Sequence, residues 1–330
     1  MRKPLQVTIT VETSFSYGGK KPDLDVKPVG DRSVLCDVDG KGEGLDYMLD
    51  TFSKHNINAS FFIEAGQSCY FGDEQMTKIV KKIKDAGQET QMMVQPAWFY
   101  SDEDENFPLD DKLVGRDPEL NKQLITKALE NYKQLAGDIP QAIRFYDSRM
   151  ENSLYDIINE LDIPMSSTIA IERGTSEGKE LFLNAGRKKM RDVMEIPLFT
   201  YQDKDNMGGY PSKTLQIATC SWREMRRVLS KARNMDIKQI VLMTHPSDYI
   251  KCKDNRFYEM RPNRVNRDRL EKLCLYINET NEHFESSNFG SNVEVWKSTE
   301  EDNIGRFKIP TSFRNMRKVE NGLNRLFWNY

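Results

Sequence analysis

The chain has 330 residues, of which 48 are Lys or Arg and 51 are Asp or Glu, for a formal net charge of −3. A hydrophobic share of 38%, 10% aromatic residues and a mean hydropathy of −0.68 exclude a membrane-embedded chain on one side and a disordered one on the other. The balanced charge gives no global reason to expect nucleic acid or an anionic membrane as partner, and 3 histidines leave little room for a mechanism built on several imidazoles.

The opening stretch Leu5 to Val11 alternates with period two and reads as a strand. Thr8, Thr10 and Glu12 break up any apolar run behind the basic Arg2-Lys3, so no secretory leader is expected and the chain is placed in the cytoplasm. Cys36, Cys69, Cys220, Cys252 and Cys274 form no Cys-x-x-Cys pair and read as reduced thiols, not as a zinc site. After a loop punctuated by Gly18, Gly19, Pro22 and Pro28, helical spacing of Leu45, Met48, Leu49 and Phe52 predicts a helix over residues 43–55. Ala59 to Ile63 is a short apolar run, read as a buried strand. Asp73 is placed to cap a helix with Met76, Ile79, Val80 and Ile83 on one face, closed by Gly87. Thr90 to Val94 follows as a strand, and Asp117-Pro118, a cap residue and a first-turn proline, opens a long helix running to Gly137.

The alternation continues with a strand at Ala142–Phe145, a helix at Leu154–Leu161, a strand at Met165–Ile171 and an edge or entry strand at Val193–Leu198. Ser221 caps a helix to about Met235, Gln239–Met243 is the clearest buried strand of the second half, and residues 266–283 form a further helix. Strands alternating with helices argue for parallel β/α units. Residues 305–330 carry Arg306, Lys308, Arg314, Arg317, Lys318 and Arg325 against Glu320, and read as a basic C-terminal extension to a body spanning 1–304.

Four segments, in order, give the chain a likeness to a known family: Thr10-Val11-Glu12-Thr13; the run from Ile57 through Phe61-Phe62-Ile63-Glu64 to Gly87-Gln88-Glu89-Thr90-Gln91-Met92-Met93-Val94-Gln95-Pro96-Ala97-Trp98; Ile143-Arg144-Phe145-Tyr146; and Leu242-Met243-Thr244-His245-Pro246, with Glu195-Ile196-Pro197 between the last two. Over roughly residues 5–300 the chain resembles the polysaccharide deacetylases, carbohydrate esterases that remove acetyl groups from glycans. The resemblance implies an irregular (β/α)7-type barrel of the deacetylase and glycoside hydrolase kind, with its site at the C-terminal ends of the strands.

In that family a divalent metal such as zinc is held by an aspartate of the first motif and two histidines of the second. The matching positions here are Thr13, Met93 and Gln95, or Gln91 and Gln95 in a four-residue spacing, and Gln88 replaces a further histidine. Hydroxyl, thioether and amide groups are poor zinc ligands, so no cofactor is expected. The resemblance makes Glu12 the counterpart of the catalytic base and His245 that of the general acid, a role that suits a group titrating near neutrality. Each residue also has a purely structural reading, as a strand-end hydrogen-bonding group. Arg144 is either a clamp for an anionic ligand group or a partner of Glu12 or Asp147. Trp98, Phe99 and Tyr100 either stack on a sugar at the mouth or belong to the core, and Tyr146 and Asp147 stand beside them as substrate-binding candidates. Asp102 to Glu105 reads as a solvated loop, and Asp37-Val38-Asp39-Gly40 lacks the further ligands of a calcium loop.

Between Lys251 and Arg269, seven cations against three carboxylates give +4. Arg264, Arg267 and Arg269 fit the face of the following helix, which leaves Lys251, Lys253, Arg256 and Arg261 for the rim of the pocket, with Arg256 and Arg261 as the substrate-binding candidates, and predicts an anionic glycan or sugar-phosphate ligand. The expected function is therefore sugar binding in surface-glycan or sugar-precursor metabolism, in a site that has lost its metal ligands. The alternatives are an active N- or O-deacetylase using Glu12 and His245 with a non-standard or absent metal, and a non-catalytic scaffold acting through the basic tail.

Overall fold

The computed structural model describes residues 2–18, 27–100, 111–173, 178–205 and 207–327. Their main sheet comprises β1 (Leu5–Thr13), β2 (Ala59–Glu64), β3 (Glu89–Val94), β4 (Ala142–Phe145), β5 (Met165–Ser166), β6 (Lys188–Met190), β7 (Val193–Glu195), β8 (Gln239–Thr244) and β9 (Phe284–Ser286). The order is β8-β1-β2-β3-β4-β5-β7-β6, with β9 also paired to β1, and only the β6–β7 pair is antiparallel. The connecting helices include α1 (Leu45–Lys54), α2 (Glu74–Asp85), α3 (Pro118–Ala136), α4 (Asn152–Glu160), α5 (Trp222–Asn234), α6 (Arg264–Glu279), α7 (Phe289–Trp296) and α8 (Thr311–Leu326). Parallel strands need such crossovers, because no hairpin can return the chain to the same end of the sheet.

Most of the sheet is buried on both faces, and its central strands carry apolar residues on both sides. One face carries Val7, Ile9, Val11, Phe61, Ile63, Met92, Val94 and Leu242 into a core shared with the helices. The other carries Phe62, Met93, Met165, Met194, Val241 and Met243 into a second cluster. Strand alternation puts Thr8, Thr10 and Glu12 on the side opposite Val7, Ile9 and Val11. At the far end of β7 the chain turns irregular: Phe199 N–H donates to the Val241 carbonyl of β8 at 2.8 Å, and Met243 N–H donates to the Leu215 carbonyl at 3.3 Å.

Two local expectations, at Asp73 and at Met165–Ile171, differ from the structure. Asp73 makes no side-chain cap bond, because its backbone is already helical, whereas Asp117 accepts from Glu119 N–H as expected. The strand expected at Met165–Ile171 pairs only at Met165–Ser166: the buried Glu195 carboxylate accepts from Thr168 and Ile169 N–H at 3.0 Å each, drawing the segment out of the ladder. Asp37 to Gly40 forms a tight hairpin turn in which the Asp37 carboxylate accepts from Gly40 N–H at 2.9 Å.

The segment after residue 304 does not stand apart from the body. Lys308–Ile309 pairs with Thr200–Asp203, and α8 sets the largely buried Arg317 between the carboxylates of Asp203, at 2.5 Å, and Glu224. Glu320 in turn binds Arg269. The cations that looked like a free basic tail are in part internal ion pairs.

Candidate functional site

The register of β1 against β8 pairs Val11 with Thr244, so the next residues, Glu12 and His245, emerge side by side at the C-terminal ends of the two strands. The His245 Nε2 lies 3.0 Å from Glu12 Oε2, and its Nδ1 lies 3.4 Å from Asp248 Oδ2. Asp248 also accepts from His245 N–H at 2.8 Å and from the Thr244 hydroxyl at 3.0 Å, closing a short turn that begins at Pro246. The imidazole is thus held between two carboxylates. Burial by itself would lower its pKa, but Asp248 and Glu12 outweigh that and raise it to about 10. Burial would likewise raise Glu12; the hydrogen bond from His245, with the charges of Arg173, His245 and Arg144, instead lowers it to about 2. At neutral pH the pair is imidazolium and carboxylate.

Arg144 lies beneath this pair and is 1% exposed. Its guanidinium donates to Glu12 at 3.4 Å, to the Thr10 hydroxyl at 3.0 Å and to the Ser167 carbonyl and hydroxyl at 2.7 and 3.0 Å, with its plane over the Phe62 ring. Burial pulls its pKa down to about 10, partly offset by Glu12. All three of its guanidinium nitrogens bond inside the protein and its side chain is buried, so Arg144 is placed to position Glu12 and not to clamp a ligand.

Above the pair lies a cavity of about 240 Å³, whose walls include Ser14, Ser16, Tyr17, Gln95, Tyr146 and Phe257 as well as Glu12 and His245. Phe257 has a φ of 58°, a conformation costly for an aromatic residue, at about 1–3 kcal/mol. Asp254 holds it there by accepting from the N–H groups of Arg256 at 2.7 Å and Glu259 at 2.6 Å, on either side of the ring. Among the described residues no Lys or Arg lines this cavity.

Of the expected substrate-binding residues, Tyr146 reaches the cavity. Trp98 is fully buried: the turn at Pro96–Tyr100 directs its indole inward against Tyr17 and Phe71, and its Nε1–H donates to Gln95 Oε1 at 3.1 Å. It belongs to the core. Tyr100 is exposed under the Arg116 guanidinium and bonded to it at 2.6 Å, while Asp147 is bound by Arg149 at 2.9 Å. Arg256 donates to the Lys27 carbonyl, and Arg261 lies on the hairpin Met260–Pro262, so neither forms the cavity wall. Asp102 to Glu105 lie outside the described residues. His55 is bonded to Glu271 at 2.8 Å, a structural role.

The residues at the expected metal positions do not fit a metal. Thr13 is buried and its hydroxyl approaches the Val11 carbonyl, Met93 is packed with Phe62 and Met243, and Gln95 has both amide atoms engaged, Oε1 by Trp98 and Nε2 on Asp111 at 3.3 Å. Among the described residues no group of three or more His, Cys, Asp or Glu is placed to hold a metal ion. Asp248, Asp254, Ser14, Tyr17 and Phe257 were not singled out from the sequence. For Asp248 the signal was present: a carboxylate three residues after the strand-end histidine is the spacing of a capping box.

A largely parallel sheet flanked by helices, with the Glu12–His245 contact and a cleft at the strands' C-terminal ends, defines an α/β protein. Its fold is that of the polysaccharide deacetylases. It is similar to a Mycobacterium smegmatis protein provisionally described as a polysaccharide deacetylase, at 13% identity and a TM-score of 0.53, covering 90% of this chain and 92% of that one. Lower scores relate it to a CE4 family pseudoenzyme from Bacillus anthracis (TM-score 0.45, 9% identity, 94% and 71% coverage) and to a family 4 carbohydrate esterase from Streptomyces lividans (0.44, 9%, 92% and 100%). No family model and no curated protein sequence matches the chain. No helix among the described residues is long and apolar enough to cross a membrane.

Proposed function

We propose that the chain binds a carbohydrate in the cleft over Glu12 and His245 and does not carry out metal-dependent deacetylation. The observation that carries this reading is the lining of the cleft. Hydroxyl groups of Ser14, Ser16, Tyr17 and Tyr146, with the rings of Tyr146 and Phe257, are suited to hydrogen-bond and stack on a pyranose. Among the described residues the cleft wall carries no Lys or Arg, which favours a neutral sugar over an anionic one. The bonds of Phe199 and Leu215 to β8 support reading the sheet as an irregular barrel of the deacetylase kind. Five unpaired thiols support a reducing compartment, hence the cytoplasm, and a role in assembling glycan precursors there. Recovery of the protein from outside intact cells would contradict that placement.

Calorimetric titration with acetylated chitotetraose, alongside acetate release measured with and without added zinc, tests the reading. Binding without acetate, weakened about tenfold or more by Phe257→Ala, is expected. Stoichiometric zinc together with acetate turnover would sink it. A second reading, hydrolysis by Glu12 as base and His245 as acid, is favoured by their 3.0 Å contact and opposite charges. It predicts acetate release that is independent of metal and lost in both Glu12→Gln and His245→Gln.

A further inference from the structure

A second and larger cavity, of about 640 Å³, lies where the first turns of α5 and α6 meet the middle of α8. Its size falls in the range of small-molecule sites. Trp222, Val265 and Met316 supply an apolar floor, and Arg223 and Arg264 stand at its edge. The carboxylates nearby are already matched: Asp268 binds Lys272 at 2.6 Å, and Glu320 is held by the buried Arg269. The Arg223 guanidinium donates to the Met316 sulfur at 3.7 Å, and neither it nor Arg264 forms an ion pair with a carboxylate among the described residues. Two guanidiniums without carboxylate partners among the described residues thus line one cavity with Trp222, Val265 and Met316.

The geometry points to a binding site for a phosphate monoester with an apolar body, the phosphate held by Arg223 and Arg264 and the body on Trp222, Val265 and Met316. A phosphate dianion offers three oxygens to two planar forks, each able to donate two parallel hydrogen bonds, which no single cation in water matches. The site is separate from the cleft over Glu12 and His245 and does not rest on the carbohydrate reading. It does share an element with that cleft. The turn of α6 that carries Arg264 and Val265 also carries Asn266, whose side chain donates to the Asp248 carbonyl at 2.7 Å, and Asp248 holds His245.

Calorimetry on the full chain with phenyl phosphate, inorganic phosphate and phenol as probes tests the site. Phenyl phosphate is expected to bind at least about tenfold more tightly than either fragment, and Arg223→Gln/Arg264→Gln to weaken it by a similar factor with an unchanged melting temperature. The charge control Arg256→Gln should leave its affinity unchanged. No binding of phenyl phosphate, affinity equal to that of phenol, or affinity unaffected by the double substitution would each overturn the proposal. Because both arginines are exposed on helix surfaces, the double variant is expected to fold, and the melting curve verifies it.

Discussion

Glu12 and His245 are two residues whose protonation states depend on each other, and this makes their contact visible in solution. His245 is raised, so the stability it contributes is full below the ordinary imidazole value of 6.5 and is lost as pH rises toward about 10. Glu12 is lowered, so its contribution is full above 4.5 and is lost as pH falls toward about 2. Urea midpoints of the wild type should therefore fall between pH 6.5 and 10, and Glu12→Gln should flatten that decline. The same substitution should cost about 3 kcal/mol near neutrality, because it leaves the buried Arg144 without its carboxylate. Equal slopes for both proteins would mean that the pair is not charged. The sequence put His245 at a strand end and the family resemblance singled out Glu12, while their contact follows from the register of β1 against β8. It did not show that Trp98 turns inward or that Phe257 turns toward the cleft, since both depend on loop hydrogen bonds made by Gln95 and Asp254.

Secondary structure was most legible where burial and capping agree. The strands at Ala59–Glu64 and Gln239–Thr244 are buried at every residue, so their apolar runs allow one reading only. Caps were less certain, because a side chain can cap only if its own backbone leaves the helix. That gives a paired prediction on α2 and α3. Asp117→Ala should destabilise the protein by about 1 kcal/mol, through loss of the bond to Glu119 N–H, while Asp73→Ala should change little. Denaturant midpoints of the two variants decide it, and equal losses would contradict the geometry. The shortened strand at Met165–Ser166 was beyond local reading for a different reason. What ends it is Glu195, a carboxylate about thirty residues downstream that takes the next two N–H groups.

For the molecule as a whole, the strand Lys308–Ile309 and α8 are part of the fold's frame. Arg317→Met would leave Glu224, fully buried, without its cation and would remove the nearer of the two arginines, Arg314 and Arg317, that pair with Asp203, at a cost of about 3–5 kcal/mol. Glu224 is already pushed up by burial, with Arg317 pulling it back, so the variant should regain part of its stability on acidification as that carboxyl takes up a proton. Thermal melting of the variant at pH 5 and pH 8 checks this, and a loss that is the same at both values would contradict it. Composition could place these cations near the end of the chain but could not show that their partners lie about a hundred residues earlier.

The pairing of β1 has a consequence for synthesis. Its residues bond to Ala59–Ile63 on one edge and to Gln239–Thr244 on the other. A ribosome delivering the chain in order exposes one edge of this apolar strand until residue 244 has left the tunnel, which at about 5–20 residues per second is an interval of tens of seconds at the slower rate. An unpaired edge is a template for pairing with another chain. The nascent protein is therefore a natural client for chaperones that shield strand edges, and slowing translation should lower its soluble yield in their absence.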